Sequence, residues 1–211
     1  MKIGILGAGN LGTALGRRLA GAGHDIVVAF ARTEDKVARA ARTMGGGARP
    51  GSPEQAARHG DVVLLSTPWP VTLGLVDQVA DSLTGRVVWD TTNPFAPDMS
   101  ELVLGTTTSA GEEVARHAPD AAVVKAIPPF AELLSSDSAE VGGHRPGLFV
   151  CGDDAGARAT VVGLAAQIGC DPVDTGPLKL ARFTEPQGML LTNLAYVQGM
   201  GPRITSILVQ D

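Results

Sequence analysis

The sequence predicts an α/β fold, a doubly wound parallel sheet with helices on both faces and a small C-terminal helical segment. Three observations predict it. Short apolar runs alternate with segments of helical period from the first residue. The run over 61–66 is apolar enough for a strand buried on both faces. Aromatic residues make up 4% of the chain while glycines number 27, which suits close packing of helix on sheet. A chain of 211 residues holds one large unit of this kind, or one unit with an appendage.

Residues 2–6 read as a short apolar strand. A helix follows over 10–22, with Leu11, Ala14, Leu15 and Leu19 near helical spacing, and Gly21 and Gly23 stop it. The second strand is predicted over 25–29 and the second helix over 34–44. Gly45 to Gly51 is a loop by composition. Ser52 then caps a short helix, with Gln55 placed to complete a capping box. The strand over 61–66 leads to a helix over 71–83 and a strand over 86–90. Ser109-Ala110-Gly111-Glu112 is a second capping-box pattern, opening a helix to His117, and a strand follows over 121–125. The polar stretch 135–147 is a surface loop. Strands over 148–151 and 171–174 flank a helix over 155–168. From Pro177 a final helical region runs towards Leu208; Gly188, Gly199 and Gly201 weaken it, and Pro202 is expected to kink or restart it. The tail is more apolar than a lone surface helix needs, so it is expected to pack on a second subunit or on this chain's own core.

Composition removes several function classes. A net charge of −5 argues against binding nucleic acid, which needs basic surface to replace phosphate counterions. No apolar run approaches the ~20 residues that span a bilayer, so no membrane partner is expected. The stretch from Met1 to Gly7 is only a strand long and runs straight into a glycine-rich loop, so it reads as a strand rather than a signal peptide, and the protein as cytoplasmic. Cys151 and Cys170 read as small buried hydrophobes. His24, His59, His117 and His144 lack ligand spacing, and no metal site is expected.

The loop Gly7-Ala8-Gly9-Asn10-Leu11-Gly12 follows a predicted strand and opens a helix, which is the setting of a dinucleotide phosphate loop in a Rossmann-type unit. Gly7 permits the tight turn, Gly9 lets the backbone approach a pyrophosphate, and Gly12 allows close packing of the helix. The helix N-terminus offers free N–H groups to the phosphates. An NAD site places a carboxylate at the end of the second strand, about 20 residues past the first glycine. Here that place reads Ala29-Phe30-Ala31-Arg32-Thr33, and Asp25 stands at the wrong end of the strand. Arg32, Thr33 and Lys36 offer a planar cation, a hydroxyl and a point charge to a 2′-phosphate, so the expected cofactor is NADP(H). We assign residues 1–150 to this cofactor-binding unit and 151–211 to a small C-terminal segment that forms part of the pocket and a dimer contact.

Further motifs occur in order: Ser66-Thr67-Pro68-Trp69, Asp90-Thr91-Thr92-Asn93-Pro94, Val124-Lys125-Ala126-Ile127, Cys151-Gly152-Asp153-Asp154, Asp174-Thr175-Gly176-Pro177-Leu178 and Gly199-Met200-Gly201. With the phosphate loop they resemble the coenzyme F420-dependent NADP oxidoreductase family over nearly the whole chain. The resemblance implies a homodimer exchanging a hydride between NADP(H) and the deazaflavin F420. It implies that Gly7, Gly9, Asn10, Leu11 and Gly12 hold the pyrophosphate, and Arg32, Thr33 and Lys36 the 2′-phosphate. Thr67, Pro68 and Trp69 would border the cofactor, Asn93 and Pro94 lie near the nicotinamide ribose, and Ala126 and Ile127 floor the hydride-transfer pocket. The chain departs from the family pattern in two places. Many bacterial members read Val-Lys-Ala-Phe-Asn where this chain has Val124-Lys125-Ala126-Ile127-Pro128-Pro129-Phe130, and Ala31 stands where some have Ser.

Direct hydride transfer needs proximity, alignment and a dry pocket rather than an acid, base or nucleophile. The predicted strand ends carry no Ser/His/Asp, Cys/His or paired-carboxylate arrangement. Lys125 ends a strand, where it either reaches a substrate or is solvated or ion-paired; Trp69 either stacks on a ring or serves as core. From Asp120 onward six basic residues stand against ten acids, a poor match for the acidic F420 tail. A second reading is therefore an NADPH-dependent reductase of a C=N, C=C or C=O group in a specialised pathway, with Lys125, Tyr196 or water as proton donor. A third is a non-catalytic NADP(H)-binding sensor.

Overall fold

Strands and helices alternate through the computed structural model, which describes residues 1–209. In chain order they are β1 (Lys2–Leu6), α1 (Asn10–Gly21), β2 (Asp25–Ala29), α2 (Glu34–Met44), β3 (Arg49–Pro50) and α3 (Pro53–His59). Then come β4 (Val62–Leu65), α4 (Trp69–Leu83), β5 (Val87–Asp90), α5 (Ala110–His117), β6 (Ala122–Lys125) and α6 (Ala131–Ser135). The last are β7 (Gly147–Gly152), α7 (Ala155–Gln167), β8 (Asp171–Gly176) and α8 (Ala181–Thr192).

The strands form one sheet in the order β3-β2-β1-β4-β5-β6-β7-β8. All neighbours are parallel except β6 and β7. Alternation along the strands builds a core on each face: Ile3, Ile5, Val62 and Leu64 join one, while Leu6, Val63 and Leu65 join the other. The chain leaves β1 towards β2 and later crosses back to β4, so the strand order reverses between β1 and β4. In doubly wound sheets a ligand crevice opens at such a point, beyond the carboxyl ends of the strands.

Local signals act as their chemistry requires. Ser52 and Gln55 close both halves of a capping box on α3. At α5, Ser109 accepts from the Glu112 amide, but the Glu112 carboxylate accepts from the Ser109 hydroxyl at 2.8 Å and from Arg182 at 2.6 Å instead of from the Ser109 amide, which leaves the box half made. The two-residue β3 lies in the expected loop, which corrects that expectation, and α6 occupies 131–135, a stretch too short to show a helical period and left unassigned by the sequence. The helical region expected to reach Leu208 ends in a π-type turn at Asn193–Val197. Gly199 and Gly201 turn the backbone there with φ of 76° and 78°, and Pro202 does not restart the helix. The chain then doubles back, so that the Ser206 carbonyl accepts from the Gly147 amide at 2.9 Å. The boundary expected at residue 150 falls inside β7, which pairs with β6 on one side and β8 on the other.

Candidate active site

The glycine-rich loop sits at the reversal of strand order. Gly7 has φ of +128°, and a Cβ there would lie 2.0 Å from the Ser66 carbonyl oxygen, so the loop is pressed onto the end of β4. A Cβ on Gly12 would lie 2.0 Å from the Gly7 oxygen, which seats α1 on the loop itself. Gly9 is the opposite case: nothing stands within 4 Å of its Cβ position, and it lines the cavity described below with Asn10 and Leu11. No side chain caps α1, so its first-turn amides are free for an anionic ligand. The Ala8 amide donates to the Phe30 carbonyl at 2.9 Å and ties the loop to the end of β2. Just beyond, Arg32, Thr33 and Lys36 are exposed at the start of α2. Thr33 caps that helix by accepting from the Lys36 amide at 3.3 Å. Asp25, at the far end of β2, is paired with Arg49 at 2.8 Å.

A cavity of about 710 Å³ opens from the loop. One side is built by Gly9, Asn10 and Leu11 with Ser66, Thr67, Pro68 and Trp69 from the carboxyl end of β4. Thr91, Thr92 and Asn93, from the end of β5, continue it. Beyond them the wall becomes apolar, with Ile127, Pro128, Pro129, Phe130, Phe149, Leu191 and Ile204. Trp69 lines the cavity and is partly buried against the core on that face of the sheet. Asn93 is buried in the wall; its Nδ2 donates to the Glu185 carbonyl at 3.1 Å, while its Oδ1 has no partner among the described residues.

The wall holds Thr67, Pro68, Trp69, Asn93 and Ile127 together with Gly9, Asn10 and Leu11. Gly7, Gly12, Pro94 and Ala126 are buried off the wall. Ala126 was expected on the pocket floor beside Ile127 but lies behind it, its carbonyl accepting from the Trp89 indole at 2.9 Å. The wall contributions of Phe149, Gly188, Leu191 and the 204–206 stretch were missed by sequence reasoning. The apolar excess of the tail was the one signal pointing there.

Lys125 does not line the cavity; of its two expected settings it takes the ion-paired one rather than the contact with substrate. Its side chain is fully buried, with Nζ 2.7 Å from Asp90 Oδ2 and 3.1 Å from Glu185 Oε1, and it donates to the Thr92 carbonyl at 2.8 Å. The Glu185 carboxylate also accepts from the Ala110 and Gly111 amides at 2.9 and 3.0 Å, where α5 begins. Asp90 Oδ1 accepts from the Thr92 amide at 2.8 Å, while Oδ2 has the ammonium alone. Burial disfavours the charged amine, but Asp90 and then Glu185 outweigh it and hold the Lys125 pKa above the ordinary lysine value. The cluster ties the ends of β5 and β6 to α8, and through Asn93 it sets one wall of the cavity. A second carboxylate therefore joins Asp90 near the strand ends, supplied by α8 from across the chain rather than by a strand.

Comparison with known proteins places this geometry. The profile of the family described as NADP oxidoreductase, coenzyme F420-dependent, matches residues 2–94. The F420-dependent NADP reductase of Methanocaldococcus jannaschii is 30% identical over 228 residues, covering 98% of this chain and 99% of that protein. The chain belongs to the F420-dependent NADP oxidoreductase family. It shares with that family the class of NADP-dependent oxidoreductases. A solved structure from Arthrobacter sp. FB24 superposes with a TM-score of 0.87 over the whole of both chains, at 24% identity, and so shares the fold. The rat metalloreductase STEAP3 is 29% identical over 187 residues, 87% of this chain but 36% of that protein. The family match ends at Pro94, so the apolar wall from Ile127 to Ser206 lies outside it.

Both cysteines are buried, and burial pushes each thiol up to about 12. Native protein at pH 8 is accordingly expected to leave both unreactive towards a disulfide reagent, with two thiols titrating on unfolding. Rapid labelling of either in the folded protein would contradict this burial.

Proposed function

We propose that this protein transfers a hydride between NADP(H) and the conjugated ring or double bond of a small second substrate seated in the apolar half of the cavity. The observation that carries the reading is one cavity continuous from an uncapped phosphate loop to an apolar wall. The open face of Gly9, the free amides of α1 and the unpartnered Asn93 Oδ1 fit a dinucleotide. We assign the pyrophosphate to Gly7, Gly9, Asn10, Leu11 and Gly12, the 2′-phosphate to Arg32, Thr33 and Lys36, and the nicotinamide ribose to Asn93 and Pro94. Thr67, Pro68 and Trp69 border the cofactor, and Ile127 faces the reacting ring. When bound, NADPH supplies the hydride; the chain's own residues hold two rings in register and exclude water.

Coenzyme F420, named for the Methanocaldococcus jannaschii relative, is the first partner to test. A second reading, reduction of an uncharged C=N, C=C or C=O group, is favoured by a wall on which no lysine or arginine stands. Loss of nicotinamide absorbance with F420, a free flavin, and a panel of imines and enones separates the two. Turnover of F420 at a useful rate removes the second reading, and tight NADPH binding without turnover of any acceptor removes both.

Arg32→Ala is expected to raise the NADPH dissociation constant about tenfold or more, the loss of a charge-assisted hydrogen bond to phosphate, and to leave NADH binding unchanged. An unchanged NADPH constant contradicts the 2′-phosphate assignment. We further place residues 1–150 as the cofactor unit and 151–211 as the segment that completes the pocket. The exposed Phe183, Leu190 and Val197, seven residues apart, support a homodimer contact. No helix among the described residues is long and apolar enough to cross a membrane, and we propose a cytoplasmic location.

A further inference from the structure

We infer that Glu132, held by Tyr196 on the cavity wall, selects second substrates by charge, favouring neutral or cationic molecules over anionic ones. The inference rests on the reading that the second substrate seats in this cavity. Among the described residues Glu132 is the one charged side chain on the wall, and it stands in the first turn of α6, directly after Pro128-Pro129-Phe130. The Tyr196 hydroxyl lies 3.3 Å from each carboxylate oxygen and donates to them, while its ring meets that of Phe130 edge to face, 5.3 Å between centroids. A phenol donates without neutralising, so the negative charge stays in place. Arg203 is turned to the Ser136 hydroxyl and the Glu140 carbonyl, and Arg17 and Arg18 donate to the Ser135, Leu134 and Ser136 carbonyls at the C-terminal end of α6. The carboxylate is exposed on a wall that also carries Phe130, Leu191 and Ile204, so solvent screens it and its effect on a charged substrate is modest.

Riboflavin and its 5′-phosphate, FMN, share one ring and differ by an acidic group, so their reduction by NADPH reads the preference directly. The wild-type protein is expected to favour riboflavin about threefold in kcat/KM, the range an exposed charge supplies. Glu132→Asp should keep that ratio, Glu132→Gln should bring it near unity, and Glu132→Lys should reverse it, all with the NADPH dissociation constant unchanged. A ratio that Glu132→Gln and Glu132→Lys leave alone overturns the inference while the proposed function stands. Where reduction is too slow to follow, quenching of flavin fluorescence by NADP+-loaded protein gives the same comparison as dissociation constants. Binding of neither flavin overturns the inference, while the seating of the second substrate is judged by the imine and enone panel.

Discussion

Lys125→Met is expected to destabilise the protein by about 3–5 kcal/mol, the loss typical when one partner of a buried ion pair is removed. The wild-type ammonium is fully buried between Asp90 and Glu185, and Asp90 Oδ2 has no other donor. Methionine fills much the same volume but leaves two carboxylates facing an apolar side chain. Glu185 retains the Ala110 and Gly111 amides, so the damage centres on Asp90. In thermal unfolding this corresponds to a fall of about 6–20 °C in Tm for a chain of this size. The sign of the pH dependence follows from the raised lysine pKa. The ammonium's stabilising effect is fully present below the ordinary lysine value and is lost as pH rises through the higher folded value. The wild-type protein should therefore keep this contribution at pH 7–9 and shed it only in strong alkali. A loss under about 1 kcal/mol for Lys125→Met in denaturant titration at pH 7 would show that the cluster is not what joins α8 to the sheet.

The second large effect separates two glycines of one loop. Gly7→Ala places a Cβ 2.0 Å from the Ser66 carbonyl at a φ of +128°. The strained backbone alone costs about 1–3 kcal/mol, and the loop must also lift from β4, so stability and NADPH affinity are expected to fall together. Gly9→Ala meets nothing within 4 Å in the folded chain. It should leave Tm within about 2 °C, a surface substitution in effect, yet raise the NADPH dissociation constant at least tenfold by filling the place where a pyrophosphate approaches. Calorimetry of both variants with and without NADPH tests the pair. Unchanged affinity in Gly9→Ala contradicts the phosphate-loop geometry.

These two cases also mark how far the sequence reaches. The strands were legible because strands buried on both faces must be nearly continuous apolar runs, as in Val62–Leu65. The phosphate loop was legible because its glycines answer local backbone demands. The place of Arg32 and Lys36 followed from strand length alone. Glu185 was not legible: it meets Lys125 from 60 residues away, inside a helix whose sequence, Ala181–Thr192, carries no motif. The same holds for the apolar half of the cavity, where Ile127, Phe149 and Ile204 come together only once β7 has paired antiparallel to β6 and the chain after Val197 has doubled back. The cofactor half also joins distant segments, β1, β4 and β5, but a local glycine motif announces it, whereas no local motif announces the second-substrate half.

The most direct test of hydride transfer is isotopic. NADPH carrying deuterium on one face of the nicotinamide C4 is mixed with the protein and an accepted second substrate, and the reduced product is examined by mass spectrometry. Direct transfer between two aligned rings predicts one deuterium per product molecule from one face of C4 and none from the other. Deuterium from both faces, or its loss to solvent from a carbon that does not exchange with water, would contradict the account.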